Sequence, residues 1–170
     1  MNFPKGILKE IRKKAFFRKS MISVFLLIDG IILMIRGVFM YFLDTCYFKG
    51  LMDSKDKNHK DALKIEDYLI DSNEKTVINT TVLVETLNWS VGTRDDVKKL
   101  YGDLHENNQV IQLTGHDYLK SLEINGWFDN SINYSDCTIL RTMFAMGISK
   151  IVSFDNDFKK IDTLSVISSM

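Results

Sequence analysis

Cysteine is nearly absent from this chain: Cys46 and Cys137 are its only two. With no Cys-x-x-Cys pair and no Cys/His spacing, they offer no thiolate metal site and point to a reducing, cytoplasmic setting. Histidine is as sparse, with three residues. His59 reads as a helix-start or solvent histidine and not a ligand, and His116 as an exposed one. An excess of positive charge is missing from most of the chain. The formal net charge is zero, yet residues 1–19 hold seven Lys/Arg against the single acid Glu10, whereas from Met40 onward 14 Lys/Arg face 20 Asp/Glu, a net of −6. A body of that sign is no generic polyanion binder, so any contact with nucleic acid must rest on local basic patches or on metal ions bridging to phosphate. Internal repeats and low-complexity tracts are also lacking.

Uninterrupted apolar runs are short. Residues 20–39 approach membrane-spanning length behind a basic leader, but Asp29 falls at their centre and Arg36 follows seven residues later. The longest unbroken runs are Val24 to Ile28 and Ile31 to Ile35. A central Asp costs about 2.5 to 3.5 kcal/mol on insertion. No small-x-small cleavage site follows the run, which argues against a signal peptide. Residues 1–39 therefore form a basic and apolar leader with three readings open: a non-native or accessory start with Met40 as the true beginning, a membrane anchor facing the cytoplasm, or a soluble docking helix.

What is present is an alternation of strands and helices. With 170 residues, 45% hydrophobic and 26% charged, the chain fits one globular domain plus an extra segment. Residues 40–170 read as that domain. The apolar stretch from Tyr41 ends at Asp44 and Thr45, and Lys49-Gly50 is expected to loosen the short helix that follows. Residues 59–71 carry a helical stripe of Ala62, Leu63, Ile65, Leu69 and Ile70. Thr76 to Asn79 is a second strand, after which Thr80 or Thr81 is expected to cap a helix reaching Trp89. Further helices are expected over 95–104, from Thr114 through Leu122, and over 133–147. Strands are expected at Val110 to Leu113, Lys150 to Ser153 and Thr163 to Ile167. Trp127 and Phe128 read as core. The pattern predicts an α/β fold with a mostly parallel sheet of four or five strands and helices on both faces.

The acids fall at telling places. Asp44 and Asp155 follow strands, and Glu85 and Asp136 sit early on helices, Glu85 about one turn in. Ligands of open α/β sheets lie beyond the carboxyl ends of the strands, so these four can line one bowl there. Each alone is equally well read as a helix cap or a solvated helix acid. A haloacid-dehalogenase-type phosphatase would want a second Asp two residues after Asp44, where Cys46 stands. A dinucleotide-binding domain would want a glycine-rich turn, and the residues after Asp44 contain no glycine.

Taken in order, Phe-Leu-Asp44-Thr, Val-Glu85, Ser-Asp136 before Ile-Leu, and Ile-Val-Ser153-Phe-Asp155-Asn-Asp157-Phe158 resemble the PIN domain family of nucleases, over about residues 40 to 167. The resemblance implies a PIN-like three-layer sandwich and a metal-dependent ribonuclease of the toxin type found in toxin–antitoxin pairs. It implies Asp44, Glu85, Asp136 and Asp155 as catalytic and metal-binding acids, supported by Ser153, where the family more often has Thr, and by Asp157. Mg²⁺ or Mn²⁺ is the implied cofactor, because hard cations take oxygen ligands and can serve both the attacking water and the leaving oxygen of a phosphodiester. RNA is the implied substrate, with an antitoxin protein and a second copy as implied partners. The leading alternative is a non-catalytic PIN-like module binding RNA or protein, with membrane contact through 20–39 open.

Overall fold

The computed structural model describes residues 23–28, 31–36, 40–72, 74–90 and 92–170. Most of the leader, at 1–22, 29–30 and 37–39, lies outside the described residues. Its two described stretches are strands β1 (Ser23–Ile28) and β2 (Ile31–Arg36), paired antiparallel with Ile28 opposite Ile31. They are rich in β-branched residues, which suits strand pairing. Among the described residues, no helix is long and apolar enough to cross a membrane.

The domain begins with β3 (Met40–Leu43), followed by α1 (Thr45–Met52) and α2 (His59–Ser72). Next come β4 (Lys75–Asn79), α3 (Thr80–Trp89) and α4 (Arg94–Asn107). The second half consists of β5 (Gln109–Ile111), α5 (Gly115–Trp127), α6 (Tyr134–Met146) and β6 (Lys150–Val152). A 3₁₀ turn (Asp157–Lys160) leads to β7 (Ser165–Ile167). The five strands β3 to β7 form one sheet in the order β5-β4-β3-β6-β7, and every pairing is parallel.

Successive residues Tyr41, Phe42 and Leu43 are all buried, as are Val77 and Ile78 and then Ile151 and Val152. Because neighbouring strand residues point to opposite faces, consecutive burial means that helices cover both faces. Ile65, Leu69, Val82, Leu140 and Met143 fill the space between sheet and helices. The strand order positions the site. From β3 the chain builds outward through β4 to β5, then returns to place β6 on the other flank of β3. That reversal opens a crevice beyond the carboxyl ends of β3 and β6.

Local expectations needed four corrections. Asn79, not Thr80 or Thr81, caps α3: its Oδ1 accepts the Val82 N–H at 3.0 Å, while Thr80 Oγ1 accepts the Leu113 N–H at 3.1 Å. Gly50 does not loosen α1, which continues to Met52. A Cβ there would lie 3.2 Å from both Ala62 Cβ and Phe154 Cε2, so glycine lets α1 approach its neighbours. Trp127 is 71% exposed, because α5 runs past Leu122 and turns this position to solvent; Phe128 does pack partly against the core. Glu85 lies at the sixth residue of α3, further in than one turn. By contrast, Thr114 caps α5 in a capping box with Asp117, and α6 runs from the Asn133 cap to left-handed Gly147 at φ 66°.

Candidate active site

β3 ends where its ladder reaches one residue further: the Asp44 N–H donates to Val152 O at 3.1 Å. The next residue after Val152 is Ser153, so Asp44 and Ser153 emerge side by side from the two strands that flank the crevice. Both are buried, at 5% and 0% exposure. Three donors orient the Asp44 carboxylate. The Thr45 N–H reaches Oδ1 at 2.6 Å, and the Cys46 thiol and the Ser153 hydroxyl reach Oδ2 at 2.8 and 2.7 Å. A carboxylate offers about four acceptor positions, so capacity for a cation remains. Burial pushes the Asp44 pKa up despite these bonds, with the charge of Asp155 acting in the same direction.

Ser153 does a second task, accepting the Asp155 N–H at 2.9 Å, which shapes the loop after β6. Asp155 Oδ1 in turn accepts the Asp157 N–H at 2.9 Å. Asp155 is exposed and Asp157 half-buried, with Lys160 Nζ 2.7 Å from Asp157 Oδ1. From α3, Glu85 receives the Thr45 hydroxyl at 2.7 Å on Oε2, which ties it to the residue beside Asp44. From α6, Asp136 is 8% exposed, and its pKa rises to about 7. Burial is the main cause, followed by the charges of Asp44, Asp155, Asp157 and Glu85. Like charges close together oppose ionisation, so the part of this shift that burial does not supply comes from acids on three other segments.

Oxygen donors that repel one another suit a hard divalent cation, whose charge would relieve that repulsion. In the side-chain arrangement described, no three of the His, Cys, Asp and Glu residues close around one ion. The fit is therefore one of chemistry and placement.

Two contributors were not legible as site residues. Cys46, which the sequence offers as no metal ligand, donates its thiol to Asp44 and accepts the Phe154 N–H at 3.0 Å, linking the ends of β3 and β6. Its position two residues after Asp44 was the only available signal. Asn79, fully buried, caps α3 and donates through Nδ2 to Thr138 O and Thr142 Oγ1, both at 3.1 Å. It thereby joins the helix bearing Glu85 to the helix bearing Asp136.

A family model described as PIN domain matches residues 41–164. The chain belongs to the PIN domain family. Among solved structures, it is similar to VapC20 of Mycobacterium tuberculosis, described as a sarcin–ricin-loop-cleaving toxin, at 24% identity and a TM-score of 0.60. That match covers 72% of this chain and 95% of the other. It is also similar to VapBC2 from Rickettsia felis, bound to a DNA fragment from their promoter, at 16% identity and a TM-score of 0.56, covering 75% and 96%. At these identities the likeness establishes the PIN fold. No curated protein matches the chain.

Proposed function

We propose that this PIN domain is a toxin-type endoribonuclease that hydrolyses RNA phosphodiester bonds with Mg²⁺ or Mn²⁺. The observation that carries the reading is the gathering of Asp44, Glu85, Asp136 and Asp155 at the crevice beyond β3 and β6. The cited similarity to a sarcin–ricin-loop-cleaving toxin supports RNA as the substrate class. Asp44, Glu85, Asp136 and Asp155 would hold the cation, with Asp157 beside them. When bound, it would supply charge to the reacting phosphate and a more acidic water.

The chain's own residues have distinct tasks. Ser153, Cys46 and the Thr45 backbone fix the rotamer of Asp44, so that its carboxylate is aimed before substrate arrives. Thr45 holds Glu85. Asp136 or Asp155, both in the crevice with Asp44, can orient the attacking water. An antitoxin protein is the proposed partner, supported by the likeness to VapC20, described as a toxin, and to VapBC2 from Rickettsia felis. A homodimer and a cytoplasmic location complete the proposal.

The test is incubation of the purified full chain with mixed single-stranded RNA, with Mn²⁺ and then with EDTA. Cleavage should require the metal, and Asp44→Asn and Asp136→Asn should each remove most of it while the fold is retained. Cleavage that persists in EDTA, or in both variants, sinks the metal-nuclease reading. RNA binding without cleavage under every metal would instead indicate a non-catalytic PIN-like module.

A further inference from the structure

The bond between Thr45 and Glu85 is the first rung of a longer contact between α1 and α3. Lys49 lies four residues after Thr45 on α1, and Trp89 lies four residues after Glu85 on α3. In an α-helix four residues are about 6 Å of rise and just over one full turn, so both fall on the same faces as the first pair. They do meet: Lys49 Nζ stands 5.7 Å from the centroid of the Trp89 ring, within cation–π reach. Lys49 is exposed, and among the described residues it makes no ion pair. Two other cations on the segments that carry the acids are already paired with carboxylates. Lys160 is bound to Asp157 and the Ser131 carbonyl, and Arg141 to Asp117. A domain of net charge −6 with its acids clustered repels a phosphate backbone, so a substrate strand gains from a side-chain cation beside the bowl.

We propose that Lys49 and Trp89 form a phosphate-holding subsite for single-stranded RNA, one helical turn from Glu85. Lys49 is the contact to a backbone phosphate next to the one cleaved, and Trp89 is a positioning residue that holds the ammonium over its ring. The subsite rests on the nuclease reading for its substrate class. A lysine in the last turn of α1 also suits the helix dipole. That role would alter melting and leave RNA affinity untouched.

The experiment measures binding apart from cleavage. Full-length protein in EDTA is titrated against a labelled single-stranded RNA of mixed sequence, by fluorescence anisotropy, between 50 and 200 mM salt. Lys49→Ala should weaken binding several-fold at the lowest salt and reduce the log–log salt slope by about 0.7, the value for one contact to a single strand. Lys49→Arg should keep both quantities, since guanidinium also binds phosphate and stacks on indole. Trp89→Leu should weaken binding less than Lys49→Ala, and the double variant should match Lys49→Ala alone. If Lys49→Ala lowers the melting temperature, Lys49→Gln carries the comparison. Unchanged affinity and slope in the lysine variants overturns the subsite, as does a parent protein that fails to bind the RNA. Binding that depends on Lys49 in a protein that never cleaves RNA with Mn²⁺ retains the subsite and removes the nuclease reading.

Discussion

Asp136 holds its proton over a pH range in which an ordinary aspartate has already lost it, and this ties the site to stability. Its pKa is 3.8 in the reference state and about 7 in the fold. Between those values the folded chain binds more protons than the unfolded one, so folding stability must fall as pH rises from about 4 to about 7. The upward shift at Asp44 has the same sign. The metal-free protein is therefore expected to melt at a lower temperature at pH 7 than at pH 5. Asp136→Asn should flatten that slope and raise the melting temperature at pH 7. Thermal melts in EDTA from pH 5 to 8 check this, and a parent that gains stability over the window contradicts it. Asp44 was visible in the sequence because a carboxylate ends an apolar strand. The donors that aim it were not, since Ser153 is 109 positions away and arrives only when β6 pairs with β3.

At the scale of elements, the helices are positioned by two small features. Asn79 satisfies an orphan N–H of α3 with Oδ1 and clamps α6 with Nδ2. Asn79→Ala removes the cap and the buried bonds together, and about 2 kcal/mol of stability should go with it. RNA cleavage should drop as well, although Asn79 touches none of the acids, because Glu85 and Asp136 ride on the two helices it joins. Denaturant unfolding and a cleavage assay at matched fraction folded separate these effects. At Gly50 the expected outcome is overpacking: Gly50→Ala should destabilise by about 1–3 kcal/mol as α1 is pushed from Ala62 and Phe154. A measured cost near zero would mean that α1 has room to move. Helix caps such as Thr114 and Asn133 were legible because their chemistry is local. The role of Gly50 is not legible in the sequence because its partners, Ala62 and Phe154, lie on other elements.

For the whole molecule, all five strands of the parallel sheet lie at or after Met40. Residues 40–170 are accordingly proposed as a self-sufficient folding unit, expected to be soluble and to melt within a few degrees of the full chain. An unfolded short form beside a folded full chain would place the leader within the core. Metal should act at this scale too. At 100 times the dissociation constant, Mn²⁺ bound only to the folded state adds about 2.7 kcal/mol, or roughly 5 to 10 °C in melting temperature for a chain of this size. The shift should shrink in Asp155→Asn, and its absence in the parent would count against the acids as a cation site.

The sequence by itself determined the succession of strands and helices and the acids at their ends. Apolar periodicity, caps and strand-ending carboxylates are local signals that survive without knowledge of neighbours. Only the tertiary structure decided that β6 lies against β3 on the side away from β4, because strand order leaves no trace in periodicity. From that order follow the crevice, the pairing of Asp44 with Ser153 and the charge crowding on Asp136. The exposure of Trp127 and the tight fit at Gly50 were likewise decided by packing. Whether a side chain meets solvent, a helix or another carboxylate depends on residues distant in the chain, and folding alone brings them together.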